Sequence, residues 1–546
     1  MMMFAPTRNR CTTMHAPMSQ RPAHRGSVVV VVVWAVAVAA VLVSATQIVT
    51  FRQAVVGRET LARVQARWAA RAGMEQMVAI MEFHLQNADP DDPMAVVRDM
   101  EEHATGTTAT GSWDIRHFLD GLEWAGPLDE GAKLNINVAT STQLTNIPNM
   151  TPDVVDAIID WRDADDDVQG LGAESDYYSN RTLGYTPRNG NFRSFAELEL
   201  VAGAWPLYVR GEDWNLNGRL DANENDGNKS FPNDKPDGKL DGGWSKFLTA
   251  TSVQSPMSLS GEDKLPLKGA DPESLTKRLG IDAEQAKALT TYGNQPNAKP
   301  EALIATPLSQ LASGGTGGTG GTGGTGSTGG GSSGGTGGKS GGTGGKSGGA
   351  SSGGTSMSVS ASGASSGGSS GGGRGSTGSS GSGSGGSGSS SAAGGGSSGR
   401  SSSGRSSGGT GGTSAVADLT NEQLRAVLRE TTADDFSKPV PGRMNINTVP
   451  DSVLKEVLEI DPRVADAIIA RRRSKPEGIT SLADLSDMSG INPTVLTQLA
   501  TQFDVTSSVY TVTSRGRAAS TGAEVEIEAV VDKSQLPAKI ISYREQ

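Results

Sequence analysis

The chain has a single cysteine, Cys11, in 546 residues. An intramolecular disulfide and a cysteine-based metal site are therefore both excluded. Positive charge is also in deficit. There are 48 Lys and Arg against 59 Asp and Glu, a formal net charge of −11, which argues against a general polyanion-binding surface. Two further absences are local. Ser27 to Thr50 contains no charged side chain, and Ser313 to Ser414 contains no aromatic residue and almost no branched apolar one.

The uncharged run is long enough to span a bilayer, because about 20 apolar helical residues match about 30 Å of hydrocarbon. It follows a leader that holds Arg8, Arg10, Arg21 and Arg25 and no acidic residue, which places the start of the chain in the cytoplasm. Charge asymmetry alone is ambiguous, since Arg52, Arg58, Arg63 and Arg67 follow the run. Three readings stay open: a secretory signal peptide cut after Val43-Ser44-Ala45, an uncleaved signal anchor, and cleavage ahead of the run, after Gly26, by a prepilin-type peptidase.

The Ser313–Ser414 segment is almost entirely Gly, Ser and Thr. It cannot bury enough surface to offset its ordering entropy. It reads as a flexible coil spanning on the order of 55 Å, inserted in a surface loop.

From Val28 to about Leu85 the pattern predicts one long helix. Arg63, Arg67 and Arg71 share a face, and Leu61, Val64, Trp68, Met74, Met77, Val78 and Met81 form an apolar stripe for packing on a small sheet. Pro90 and Pro93 stop it. Trp113 to Trp124 reads as a strand. After Lys133 an internal repeat emerges. Leu134-Asn135-Ile136-Asn137 with Ala157-Ile158-Ile159-Asp160-Trp161-Arg162 has its counterpart in Met444-Asn445-Ile446-Asn447 with Ala467-Ile468-Ile469-Ala470-Arg471. Each copy reads as helix, tight hairpin, helix. A weaker hairpin falls at Met488 to Asn492, and Phe192 to Leu198 matches Ile479 to Leu485. Phe503 to Val531 alternates and predicts a β-hairpin with one buried face.

The sharpest chemical motif is Asp213 to Glu224. Asp213, Asn215, Asn217, Asp221 and Glu224 supply oxygen at loop positions 1, 3, 5, 9 and 12, Gly218 stands at the turn, and Arg219 offers its carbonyl. This is the calcium-loop spacing of the EF-hand, here without long flanking helices. Leu220 is the expected apolar anchor. A degenerate copy, Asn233 to Trp244 with Asp237 and Asp241, lacks the last carboxylate. A second acidic cluster, Asp163, Asp165, Asp166, Asp167, Glu174 and Asp176 beside Tyr177-Tyr178, is either a solvated loop or a hard-cation site. No nucleophile, histidine or phosphate loop accompanies it, so no enzymatic activity is expected. The hairpins could bind a nucleic-acid backbone, but Asn149 and Asp461 stand where glycine is wanted. The surroundings are acidic apart from Arg471-Arg472-Arg473, which favours a packing or docking role.

Together these residues resemble the type II secretion system protein K family, the large minor pseudopilins. The resemblance rests on Arg25-Gly26 before the valine-rich run, on Leu134 to Ala139, on Ala157 to Asp165, on Glu174 to Tyr178 and on Phe192 to Leu198. It implies prepilin cleavage between Gly26 and Ser27 with methylation of the new terminus, and a single-pass inner-membrane protein with its bulk in the periplasm. Pilin-like subunits carry a glutamate at the fifth residue after the cut. Here that residue is Val31, and family K shares the lack, as suits a subunit with none above it. The implied role is to cap the pseudopilus tip with other minor pseudopilins and to help start assembly on the inner-membrane platform.

The expected fold is α+β, a pilin-like long helix on a small antiparallel sheet with a large inserted helical domain. The expected parts are a leader (1–26), a transmembrane and pilin helix (27–86), an α/β part (87–132), and a first helical half with the Ca²⁺ loop (133–312). The linker (313–414), the second helical half (415–502) and a hairpin completing the sheet (503–546) follow. Competing readings are a membrane-anchored, competence-type DNA-binding protein and a secreted Ca²⁺-dependent adhesin.

Overall fold

The computed structural model describes residues 25–313, 416–458 and 460–546, all within one compact unit. The leader with Cys11 and the glycine-rich segment lie outside the described residues, as do the side chains of Arg25 and Ser27 on either side of Gly26.

Helix α1 runs unbroken from Arg25 to Gln86. It ends where expected, with the Asn87 N–H closing on the Phe83 carbonyl just ahead of Pro90. Among the described residues it is the one helix long and apolar enough to cross a membrane. Its first part, from Val28 to Val56, is exposed along its whole length.

Further along, α1 packs on the sheet through small residues. Ala62, Ala66, Ala69 and Ala70 are fully buried, and Met74, Met77 and Met81 follow on the same side. The predicted stripe is thus corrected in its first half: Leu61, Val64 and Trp68 are 58%, 44% and 60% exposed. The reason is close approach. A Cβ on Gly516 would overlap the Ala66 carbonyl oxygen and the Ala70 nitrogen, and one on Gly73 would overlap Trp113. Alanine is the largest residue that this contact admits. The outer face carries the i,i+4 pairs Arg63–Glu59 and Arg71–Glu75 at 3.2 and 3.3 Å. Exposed pairs of this kind contribute about 0.3–0.5 kcal/mol, against about 1.5–3 kcal/mol for a buried methionine. Packing therefore holds the helix.

A short helix α2 (Ala95–Glu102) leads into the strands β1 (Thr105–Thr107), β2 (Gly111–Leu119), β3 (Leu122–Ala125) and β4 (Leu128–Asp129). The stretch expected as one strand is a hairpin, β2 with β3, turning at Asp120-Gly121, both with positive φ. After a long insertion come β5 (Val509–Ala518), β6 (Glu524–Asp532) and β7 (Lys539–Glu545). The antiparallel order is β1-β2-β5-β6-β7, with β3 beside β2 and β4 beside β5. The C-terminal hairpin thus gains a third strand. Met74, Met77, Met81, Val96, Met100, Ile115, Tyr510, Val512, Ile527 and Val531 form its core with α1 and α2. The expected α+β class is met.

The insertion is built on the repeat. In the first copy Leu134–Asn135 pairs in parallel with Leu248–Thr249; in the second, Met444–Asn445 pairs with Phe503–Asp504. These leading residues are strand, not helix. The first helices are short, Ser141–Thr145 and a π-turn at Val453–Val457. The second are α3 (Pro152–Arg162) and α4 (Pro462–Arg473), and α5 (Pro493–Gln502) follows the third hairpin. The asparagines do equal work in both copies. The Asn137 amide exchanges hydrogen bonds with the Phe192 backbone, and the Asn447 amide with that of Ile479. Arg162 and Arg472 each donate to two carbonyls of the leading segment. One core joins the two copies. A second, smaller core of Leu275, Leu279, Leu289, Leu303, Leu308 and Val427 was not foreseen. It lies beside the flanks of the glycine-rich segment, where the Ser309 hydroxyl donates to Asp418 at 2.9 Å. Flanks this close let a long insertion be accommodated at small entropic cost.

The two copies and the sheet meet at Asp129-Glu130, both buried. Asp129 accepts from Asn445 and Thr448 of the second copy, at 3.1 and 2.6 Å. Glu130 accepts from Thr249 of the first copy and from Thr511 of β5.

Gly516→Ala should destabilise the full chain by about 1–3 kcal/mol through overpacking. A lowered thermal midpoint in detergent checks this; an unchanged midpoint would show that α1 does not approach the strand so closely.

Candidate functional site

The loop 213–224 is launched by Gly211 (φ 61°) and steadied by Arg210, which pairs with Glu199 and donates to the Trp214 carbonyl at 2.5 Å. Leu216 and Gly218 both take left-handed φ, 57° and 65°, which turns the chain back on itself. Asp213, Asn217, Arg219 and Glu224 are buried, Asn215, Asp221 and Leu220 half-buried. Backbone N–H groups converge on the carboxylates. Asn217 and Gly218 donate to Asp213 at 3.0 Å each, and Trp214 and Asp221 donate to Glu224 at 3.0 and 3.2 Å. Burial pushes the Asp213 carboxyl up to about 6 and Glu224 up to about 7, the charges of Asp213 and Asp221 adding to the latter. Two buried carboxylates with amide oxygens beside them make an oxygen donor set suited to a hard cation such as Ca²⁺.

The loop lies on the face of the sheet away from α1. The Thr513 hydroxyl donates to the Asn217 carbonyl, and the Phe118 N–H to that of Gly218. Arg219 pairs with Asp114 at 3.0 Å, the Asn217 amide donates to Glu526 at 2.8 Å, and Arg515 pairs with Asp221 at 2.6 Å. The expectation of one buried face is therefore corrected: β5 is covered on both sides. Asp221 is also not a free ligand, since its second oxygen accepts from the amides of Asn215 and Asn217.

The degenerate copy is not assembled. Asp237 and Asp241 are exposed and accept only from backbone N–H groups two residues on, apart from a 3.7 Å approach of Lys246 to Asp241. Glu212 instead ties this segment down through the N–H groups of Lys235 and Asp241.

The acidic cluster resolves into a tighter set than its composition suggested. Asp160, Asp163 and Glu174 bring carboxylate oxygens within 4.8 Å of one another. Asp160 is fully buried and Glu174 is 3% exposed. Neither Glu174 oxygen has a hydrogen-bond partner, nor do Asp163 Oδ1 and the nearby Asn189 Oδ1. Burial, then the charges of Asp160 and Asp163, push Glu174 up to about 7. Unpaired oxygens buried together need a cation or a proton. Asp165, Asp167 and Asp176 are exposed and stand outside this set. Asp160 was missed, though it lies three residues before Asp163 on α3. Asn189, which reaches the Asp165 carbonyl and Asp166, gave no sequence signal.

The basic cluster is neutralised. Arg471 pairs with Asp487, and Arg472 and Arg473 both pair with Asp451. Asp461 caps α4 by accepting from the Arg463 N–H, and Asn149 takes the left-handed φ (63°) of its turn without glycine.

Residues 132–210 match the family described as type II secretion system (T2SS), protein K. The match bears out the resemblance drawn from the sequence. No curated protein sequence matches the chain. The chain is similar to one in the crystal structure of the GspK-GspI-GspJ complex from the enterotoxigenic Escherichia coli type 2 secretion system. The alignment covers 88% of this chain and 96% of that one, at 10% identity and a TM-score of 0.35. A score of that size carries no structural argument.

The raised carboxyls hold their protons more tightly in the fold than in the unfolded chain. Without a cation their contribution is fully present below the ordinary glutamate value of 4.5 and is lost as pH rises through about 7. Thermal midpoints of the full chain in chelator should fall over that interval, and Ca²⁺ should remove the fall. At pH 7 Glu174→Gln should stabilise the cation-free chain by on the order of 1 kcal/mol and shrink the gain from Ca²⁺. A pH-independent midpoint would refute the buried carboxyl set.

Proposed function

We propose, from the premise that this chain is a type II secretion system protein K, that it is a minor pseudopilin that caps the pseudopilus tip and helps to start its assembly. The observation that carries this reading is the continuity of α1. One helix passes from an exposed apolar stretch into the alanine face that packs on the sheet, with no break between. Anchor and body are thus one stiff element, as a subunit raised from a membrane requires. Val31 stands where a filament subunit needs a carboxylate for the neighbour above, which suits a terminal position.

On this reading prepilin peptidase cuts between Gly26 and Ser27. The chain crosses the inner membrane once with its start in the cytoplasm, and the sheet and helical insertion stand in the periplasm. Its partners are the other minor pseudopilins, the pseudopilus and the inner-membrane platform. It performs no catalysis. Two structural Ca²⁺ sites support the insertion. One is held by Asp213, Asn215, Asn217, the Arg219 carbonyl and Glu224, with Asp221 in support; the other is held by Asp160, Asp163 and Glu174. The competence-type DNA reading is disfavoured because Arg471, Arg472 and Arg473, the basic cluster of the second hairpin unit, are committed to carbonyls and aspartates.

N-terminal sequencing of the membrane-bound protein should begin at Ser27. A terminus at Met1 or beyond Ala45 would sink the reading, the latter favouring a secreted adhesin. Deletion of the chain should abolish export through its system, and Gly26→Val should fail to restore it. Salt-dependent DNA binding by the full chain would favour the competing reading.

A further inference from the structure

Asp221 is the loop residue whose role differs most from the spacing-based expectation. Its Oδ1 receives Arg515 Nη2 at 2.6 Å, and its Oδ2 receives the amides of Asn215 and Asn217 at 2.9 and 3.1 Å. The same Arg515 binds Glu526 Oε2 through Nη2 and Nε at 2.8 and 3.1 Å. Glu526 in turn accepts from the Asn217 amide at 2.8 Å. Glu526 is largely buried, and Arg515 keeps about a quarter of its side chain exposed. A guanidinium on β5 therefore bridges one carboxylate of the loop and one of the sheet, at a point where position 9 of such a loop often reaches its cation only through water.

We propose that Arg515 is a resident counter-ion of this loop: it holds 213–224 on the sheet when no metal is bound, and it sets the loop's calcium affinity by competing for Asp221. The inference rests on the reading of 213–224 as a calcium loop and goes beyond it in assigning the sheet a part in the site. Without Arg515, Asp221 would lose its cationic partner and Glu526 would keep only the 4.0 Å approach of Arg219. The loop would then rest on the Arg219–Asp114 pair and its neutral hydrogen bonds unless an external cation took the place of the guanidinium. With it, attachment of the helical insertion survives the loss of metal, at the expense of affinity. A guanidinium in contact with Asp221 opposes an incoming divalent ion by an amount that corresponds to roughly ten-fold in affinity at high effective dielectric.

The sign of the effect separates this role from simple scaffolding. Ca²⁺ is titrated calorimetrically into the full chain in detergent, as wild type, Arg515→Gln, Glu526→Gln and Glu224→Gln. The binding component that disappears in Glu224→Gln belongs to the loop. Arg515→Gln should bind there roughly ten-fold more tightly than wild type, and Glu526→Gln more weakly, because Arg515 is then left to Asp221 alone. In chelator, amide hydrogen exchange over 213–224 and 509–518 should be faster in Arg515→Gln than in wild type, and Ca²⁺ should restore it. Equal or weaker binding by Arg515→Gln overturns the counter-ion role while leaving the calcium loop standing. Should Arg515→Gln fail to fold, Glu526→Gln decides alone, and binding as tight as wild type overturns the proposal. If Glu224→Gln removes no component, the calcium reading of the loop falls, and this proposal with it.

Discussion

The buried pair Asp129-Glu130 is the point on which the architecture turns. Glu130 and Thr511 lie 381 residues apart in sequence, and a hydrogen bond of 2.6 Å joins them. No disulfide can replace that tie. Each carboxylate is met by hydroxyls, an asparagine amide or a backbone N–H. Removing one of these donors would leave a buried charge under-satisfied, which costs more than the bond itself contributes. The sheet can therefore be interrupted by the whole insertion and still close β2 and β4 against β5.

Around that hub the molecule uses two ways of bringing elements close. Between α1 and the sheet the contact is made by small residues, and the large apolar ones appear only further along, where Met74, Met77 and Met81 fill the core. On the opposite face the contact is polar. The 213–224 loop is pinned through its Arg219 and Asn217 to Asp114 of β2 and Glu526 of β6, and through its Asp221 to Arg515 of β5. A sheet gripped on one side by packing and on the other by charge gives the helical insertion a fixed seat on α1.

The repeat was legible because it is written in matching residues. Asn137 and Asn447, and Arg162 and Arg472, make the same bonds in both copies, so similarity of sequence mapped onto similarity of structure. The end of α1 was equally plain from its prolines. The alanine face was not. Periodicity ranks residues by apolarity, and Leu61, Val64 and Trp68 outrank alanine there, yet only alanine fits beside Gly516. The acidic loop was seen as a composition. Which carboxylates converge depended on the return of the chain at Glu174 and Asn189, which no local spacing encodes.

The sequence by itself determined the long apolar run, the absence of an intramolecular disulfide, the repeat and the spacing of oxygen-bearing side chains in 213–224, because each can be read from the order of residues alone. Tertiary structure alone decided that Asp160 joins Asp163 and Glu174, that Arg515 occupies Asp221, and that the loop covers the back of the sheet. Those facts depend on residues tens to hundreds of positions apart being brought together by shared burial, and burial belongs to the folded surface, not to any single segment.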